Sequence, residues 1–404
     1  MVNQRTLSVF NVLLYSSYFF GFGATVLFLI MYLRTLGFSS FSIGLVFCLG
    51  NAIGALVQEI SSRISDSSHV FTLRVLGFLH TGLMLLSMIA VLFGALPHWA
   101  IWAVFIFYYA LLTSTQAIIT AITIAFETAG HGIRFNQIRA CGSASYALTV
   151  VLLGQFFHSA PITCLPYFLI ASCTLILVLL CALPAIPAGR SGHLDPRIQG
   201  KIKPTDRFYH RYPVLIPLMV GFSLLFCSHT YLNNFLSSII TYFGGSSAEV
   251  GVAGMIATLA EIPAIYYYNK MQQRWKNTAL LTFSAILFTV KCALLLGAVR
   301  PTDVYFSQAL QFGAFGLFGA GFSYLVTEIV EPQDLVKGQS AATVVMSIGG
   351  ALSGIIGGSA LQYIGSMPTL YLMAGISLLG TGSVLYGIHQ TKKYFKQKQV
   401  EGKV

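Results

Sequence analysis

Residues 187–212 read "PAGRSGHLDPRIQGKIKPTDRFYHRY", the one long hydrophilic interruption in a chain of 404 residues. Six of its residues are basic: Arg190, Arg197, Lys201, Lys203, Arg207 and Arg211. On both sides the chain is apolar for long distances. Residues 99–126, "WAIWAVFIFYYALLTSTQAIITAITIAF", carry no Asp, Glu, Lys or Arg until Glu127. About 20 such residues cross a bilayer as a helix.

Composition agrees with that reading. The chain is 56% hydrophobic and 9% charged, against about 25% charged in soluble domains. The apolar runs do not alternate in the manner of a β-barrel. Twelve spans follow, at about 9–33, 41–63, 71–93, 99–126, 136–157, 162–186, 213–243, 247–270, 277–298, 303–327, 338–362 and 367–388. The expected fold is an all-α polytopic membrane protein with twelve transmembrane helices in two pseudo-symmetric six-helix bundles. The first bundle occupies 1–188, a central loop 189–211, the second bundle 212–390, and a basic tail 391–404.

An even number of spans puts both termini on one side. Arg63, Arg74, Arg134, the central stretch, Lys270, Arg274 and Lys276 flank loops of one parity. The opposite loops "GALPHW", "HSAPIT" and "GSMPT" have no Lys or Arg. Basic loops stay cytoplasmic, so both termini are expected there. Arg34 and Arg300 are the exceptions on the outer side.

The same distribution explains the formal net charge of +11. Basic residues gather in loops and tail and build no groove-reading element, so nucleic acid is not an expected partner. The seven cysteines form no CxxC pair and lie in or beside apolar runs. There a thiol behaves as a small hydrophobe, and neither disulfide nor metal site is expected. The first run is too long for a signal peptide and reads as a retained span. No N-x-Ser/Thr sequon points to a glycosylated surface protein. No G-x-S-x-G, H-E-x-x-H or P-loop pattern suggests an enzyme, and no cofactor is expected.

The halves echo each other. "GFSSFSIGL" at 37–45 returns as "GGSSAEVGV" at 244–252, an offset of 207 residues. Each copy stands between the first and second spans of its half, as in a duplicated transporter whose halves rock around a central site. A generic Gly/Ser turn before a helix is the alternative. Gly313, Gly316, Gly319 and Gly321 in the tenth span, and Gly350, Gly354 and Gly358 in the eleventh, let helix backbones approach closely.

Three further stretches resemble the major facilitator superfamily, in particular its oligosaccharide–proton symporters, typified by lactose permease, and its phenylpropionate permeases. They are "FNQIRACGSASYAL" (135–148), "GVAGMIATLAEIPAIYYYNK" (251–270) and "SSRISDSSHVFTLRVL" (61–76). The first is similar to the family's start of helix 5. The second is similar to the helix 8 segment that carries an essential glutamate. The third is similar to the loop after helix 2 of the phenylpropionate group.

The resemblance implies that the face of Arg139, Ser143 and Tyr146 binds substrate. These residues fall at i, i+4 and i+7 and so share one side of a helix. A guanidinium can fork onto hydroxyls or a carboxylate, and a tyrosine ring can stack on a sugar or an aryl ring. A snorkelling anchor is the other reading of Arg139.

Glu261 and Lys291 stand near the middle of spans 8 and 9. A charge at mid-bilayer costs about 2.5–3.5 kcal/mol on insertion scales, so both should face the protein interior. They are candidates for proton coupling, with a structural ion pair as the alternative. Pro263 cannot donate to the Leu259 carbonyl, which frees an acceptor beside Glu261. In span 7, "CSHTYLNNF" puts His229 and Asn233 on one face, lining a cavity or packing between helices.

Departures from lactose permease are informative. Span 7 lacks an acid, and spans 10 and 11 lack interior lysines. The family's helix 4 acid aligns with Ala121, with Glu127 six residues further on. Its helix 10 histidine aligns with Gln311 and its proton-carrying glutamate with Ala314. The lactose-permease proton route is interrupted at Ala314, which leaves Glu261 as the titrating candidate.

The expected substrate ligands are therefore Arg139, Ser143, Tyr146, His229, Asn233, Glu261 and Gln311, with Glu261 and Lys291 in coupling. The expected protein is a monomeric secondary transporter in a bacterial cytoplasmic membrane. It would import a small organic solute, a sugar or glycoside, with proton symport. A small aromatic carboxylate as substrate, or uncoupled facilitation, is the alternative.

Overall fold

A backbone that crosses lipid must satisfy its own polar groups, and these apolar runs do so as helices. The computed structural model describes residues 4–67, 72–130, 133–184, 186, 208–331 and 334–400. The basic residues from Arg190 to Arg207, and residues 401–404, lie outside the described residues.

Among the described residues, twelve helices are long and apolar enough to cross a membrane. They are α1 (Thr6–Thr35), α2 (Ser40–Ser65), α3 (Leu73–Phe93), α4 (His98–Thr128), α5 (Gln137–Ser159) and α6 (Ile162–Ala182). Then come α7 (Leu215–Asn234), α8 (Ser247–Gln272), α9 (Asn277–Gly297), α10 (Pro301–Ile329), α11 (Lys337–Tyr363) and α12 (Ser366–Gln397). No strand occurs among the described residues.

Local chemistry starts several of them. Ser246 and Glu249 form a capping box at α8, with the Ser246 amide 2.8 Å from the Glu249 carboxylate. Pro301 opens α10, and Asp303 accepts from the Val299 and Arg300 amides, both at 2.9 Å. Thr72 caps α3.

Three irregularities depart from the even spans expected from sequence. Span 7 breaks at Phe235 and resumes as Leu236–Tyr242. α10 narrows to a 3₁₀ turn at Leu310–Phe312. α11 widens to a π-turn at Ser353–Gly357. In addition, α12 does not stop near 388. Its helix runs to Val400, because Tyr394 and Phe395 pack against the core of the last six helices. The expected tail is helical as far as it is described.

The repeated motif is reproduced in the backbone. Gly37 and Gly244, its first residues, have φ of +85° and +83°, the left-handed turn that glycine adopts without strain. Gly44 and Gly251, 207 residues apart, sit at matching helix crossings. A side chain on Gly44 would run into the Gly354 carbonyl and the backbone of Gly358 on α11. One on Gly251 would meet the backbone of Val150 and Val151 on α5. Hydrogen bonds join the same crossings. The Ser40 amide donates to Gln362 at 3.0 Å, and the Ser247 hydroxyl to the Gly154 carbonyl at 3.0 Å. These contacts lie at the helix ends opposite the termini, and they hold the first six helices to the last six there.

Candidate functional site

Glu261 stands well away from both ends of α8, which continues through Pro263. Its neighbours come from α10 and α9. The 3₁₀ turn of α10 presents Gln311, whose Nε2 donates to Oε1 of Glu261 at 2.6 Å. Its Oε1 accepts from Nζ of Lys291 at 2.5 Å. Lys291 is fully buried, and its own carbonyl accepts from the Ser307 hydroxyl at 2.8 Å.

The order of this chain fixes the amide. An ammonium donates and a carboxylate accepts, so the carbonyl end of Gln311 faces Lys291 and the NH₂ end faces Glu261. A hydrogen bond to a charged group contributes about 1.5–3 kcal/mol. That is comparable with the cost of placing one charge at mid-membrane. The arrangement thus holds both charges without a direct ion pair between them; none is present among the described residues.

Across from Glu261 is α5. Tyr146 lies eleven residues from Phe135, where its helix starts, and Glu261 eleven residues from Gln272, where its helix ends. Both ends face the termini, so each residue is about 16 Å deep at 1.5 Å per residue. Tyr146 and Ser143 are half-buried, and Arg139 is exposed nearer the terminal side. The Arg139 guanidinium is within Coulombic range of the Tyr15 hydroxyl and the Glu261 carboxylate. The expected α5 face therefore does look toward Glu261.

The Tyr146 ring belongs to an aromatic wall that sequence reading passed over. Phe22 lies 6.1 Å from it, and Tyr18, Phe19 and Tyr15 continue the wall along α1. Tyr15 and Tyr18 are anchored through their hydroxyls, to Thr120 at 2.8 Å and the Leu112 carbonyl at 3.0 Å. Phe19 and Phe22 remain half-buried. The signal was present as "YSSYFFGF", aromatic residues at three- and four-residue spacing.

His229 and Asn233 meet as their spacing implied. Asn233 Nδ2 lies 3.0 Å from Nε2 of His229. The amide donates, so Nε2 accepts and the ring proton sits on Nδ1, which is buried without a protein partner. The imidazole stacks on Phe315 at 5.2 Å and 8°. It lies within Coulombic range of Lys291. Gln311, expected as a direct ligand, is buried with both ends of its amide occupied.

Comparison with known proteins bears on the fold. Sequence comparison returns no matching curated protein. Among solved structures, a mutant of the nucleoside transporter NupG superposes with a TM-score of 0.80 at 16% identity, covering 94% of this chain and 99% of that one. A peptide transporter, POT, gives 0.71 at 12% identity, covering 97% and 99%. A D-xylose–proton symporter gives 0.66 at 13%, covering 94% and 96%. At such identities the likeness shows the fold. The MFS_1 like family matches residues 10–372. The chain belongs to that family, and with it to the major facilitator transporters.

Proposed function

We propose that this transporter imports a small hydroxylated solute, a sugar or glycoside, through a bacterial cytoplasmic membrane with proton symport. Glu261 carries the reading. It is a carboxylate well inside its span, one oxygen held by Gln311, level with Tyr146 and within Coulombic range of Arg139. A carboxylate so placed accepts substrate hydroxyls when ionised and is neutral when protonated, which couples the two events. Tyr146 and Phe22 offer a sugar or aglycone ring a face to stack on. Neighbours named for a nucleoside and for D-xylose are consistent with a hydroxylated solute. With cytoplasmic termini, the contacts at Gly44 and Gly251 fall on the outer side, which supports access to Glu261 from inside.

A second reading rests on one observation. Two cations, Arg139 and Lys291, surround the single carboxylate Glu261 beside an aromatic wall. An aromatic carboxylate would bring the missing negative charge.

Uptake by proteoliposomes separates the readings. A panel of labelled sugars, glycosides and aryl acids is offered with and without an inward proton gradient. Accumulation of a sugar or glycoside driven by the gradient supports the proposal. Accumulation of aryl acids alone supports the second reading. Transport indifferent to the gradient defeats proton symport.

A further inference from the structure

Away from Glu261, a cavity of about 500 Å³ opens where three spans end on the terminal side. Gln272 at the end of α8, Lys276, Asn277 and Thr278 at the start of α9, Glu328 at the end of α10, and Lys392, Phe395 and Lys396 of α12 line it. Three lysines face one acid there. Among the described residues, none of the three ammonium groups is in a salt bridge. Lys392 and Lys396 are one helical turn apart, where like charges repel. Asn277 cannot serve them. Its side chain is occupied by the Tyr268 hydroxyl and by the Gly321 carbonyl, at 3.0 Å.

The α12 helix is extended into this cavity, and its exposed face changes character along its length. Lys396, Lys392 and His389 are exposed and polar. Further along the same face, at three- and four-residue steps, come Leu385 at 42% and Leu378 at 63% exposure. α9 has a matching exposed row in Phe283, Ile286 and Val290. Trp275 at 55% exposure stands in the α8–α9 turn, as aromatic residues do at membrane interfaces. A cationic cavity above two apolar, lipid-facing strips fits a phosphate carrying acyl chains better than a free anion.

We propose that this cavity seats the phosphate headgroup of an anionic lipid, with Lys276, Lys392 and Lys396 as its partners and Glu328 limiting the charge it accepts. Each interfacial lysine is worth roughly five-fold in affinity for an anionic lipid. The Lys276→Gln/Lys392→Gln/Lys396→Gln variant should therefore bind about a hundred-fold more weakly.

The test uses purified full-length protein in detergent. Native mass spectrometry and thermal unfolding are recorded with phosphatidylglycerol, with phosphatidylcholine and with inorganic phosphate. Wild type should retain phosphatidylglycerol and unfold at a higher temperature with it, and not with phosphatidylcholine. The triple Gln variant should lose both effects, while a triple Arg variant, which keeps the charge and so controls for folding, should retain them. Equal retention by wild type and the Gln variant overturns the proposal. So does an equal shift with inorganic phosphate, which would make the site one for a soluble anion.

Discussion

Lys291 and Glu261 are coupled without touching. Gln311 accepts from one at 2.5 Å and donates to the other at 2.6 Å, so its amide transmits the state of each charge to its neighbour. Protonation of Glu261 weakens the bond from the amide. Displacement of the amide by substrate strips Lys291 of its acceptor.

Substituting Gln311→Leu should expose that dependence. It leaves a buried ammonium unpaired, and breaking a buried polar pair costs about 3–5 kcal/mol as an upper bound. Adding Lys291→Met should restore most of the stability while transport stays low. Thermal unfolding in micelles reads the first effect and uptake the second. If the single and double variants unfold alike, Gln311 does not shield Lys291.

Glu261→Gln keeps the shape of the site and removes its titration. Uphill accumulation should vanish, with exchange of labelled for unlabelled substrate preserved. Counterflow in proteoliposomes measures this. Normal gradient-driven uptake by the variant would move coupling elsewhere and leave Glu261 a structural role.

On the α5 face, Tyr146→Phe should retain most affinity and Tyr146→Ala should lose about ten-fold or more, since a sugar or aryl ring loses its stacking partner. Arg139→Lys keeps the charge and loses the planar fork, so it should weaken binding despite its conservative appearance. Ligand-induced quenching or transport KM reports both. Wild-type affinity in all three would remove this face from the site.

The closed end can be pried apart. Gly44→Val and Gly251→Val each introduce a side chain where a backbone already lies. Either should raise, several-fold, the labelling of a cysteine at Asn233 by an impermeant thiol reagent applied from the side opposite the termini. Unchanged labelling would mean these crossings do not hold the closure.

Orientation has its own check. A cysteine at Gln397, on the extended α12, should react only from the cytoplasmic side. Labelling from outside on intact cells would invert the proposed topology and with it the inward-facing state.

Much of this architecture was legible because bilayer crossing leaves a coarse signature. The spans and the repeat at 37 and 244 follow from runs of apolar residues and turn glycines. Glu261 stood out because a lone carboxylate in such a run is costly. Its link to Lys291 was not legible. Glu261 and Gln311 are 50 residues apart, and their contact depends on a 3₁₀ turn in α10 that no proline announces. The break of span 7 at Phe235 was hidden for the same reason. The α12 extension was hidden because its lysines look solvated, although Tyr394 and Phe395 between them pack against the core.

The paired crossings also speak to ancestry. α2 meets α11 through Gly44, and α8 meets α5 through Gly251, 207 residues later. Exchange the halves, and one contact becomes the other. That is the geometry of an isologous interface, in which one patch serves twice about a two-fold axis. A six-helix ancestor carrying a single such motif would have closed against a second copy of itself with both contacts already in place. Fusion into one chain then freed the two sides to diverge. Glycine stands at both crossings, Gly358 of α11 against Gly44 and Gly154 of α5 against Gly251, while Val150 now meets Gly251 where Gly354 meets Gly44. Fusion likewise allowed one half to keep Glu261 and Lys291 with no matching pair in the other.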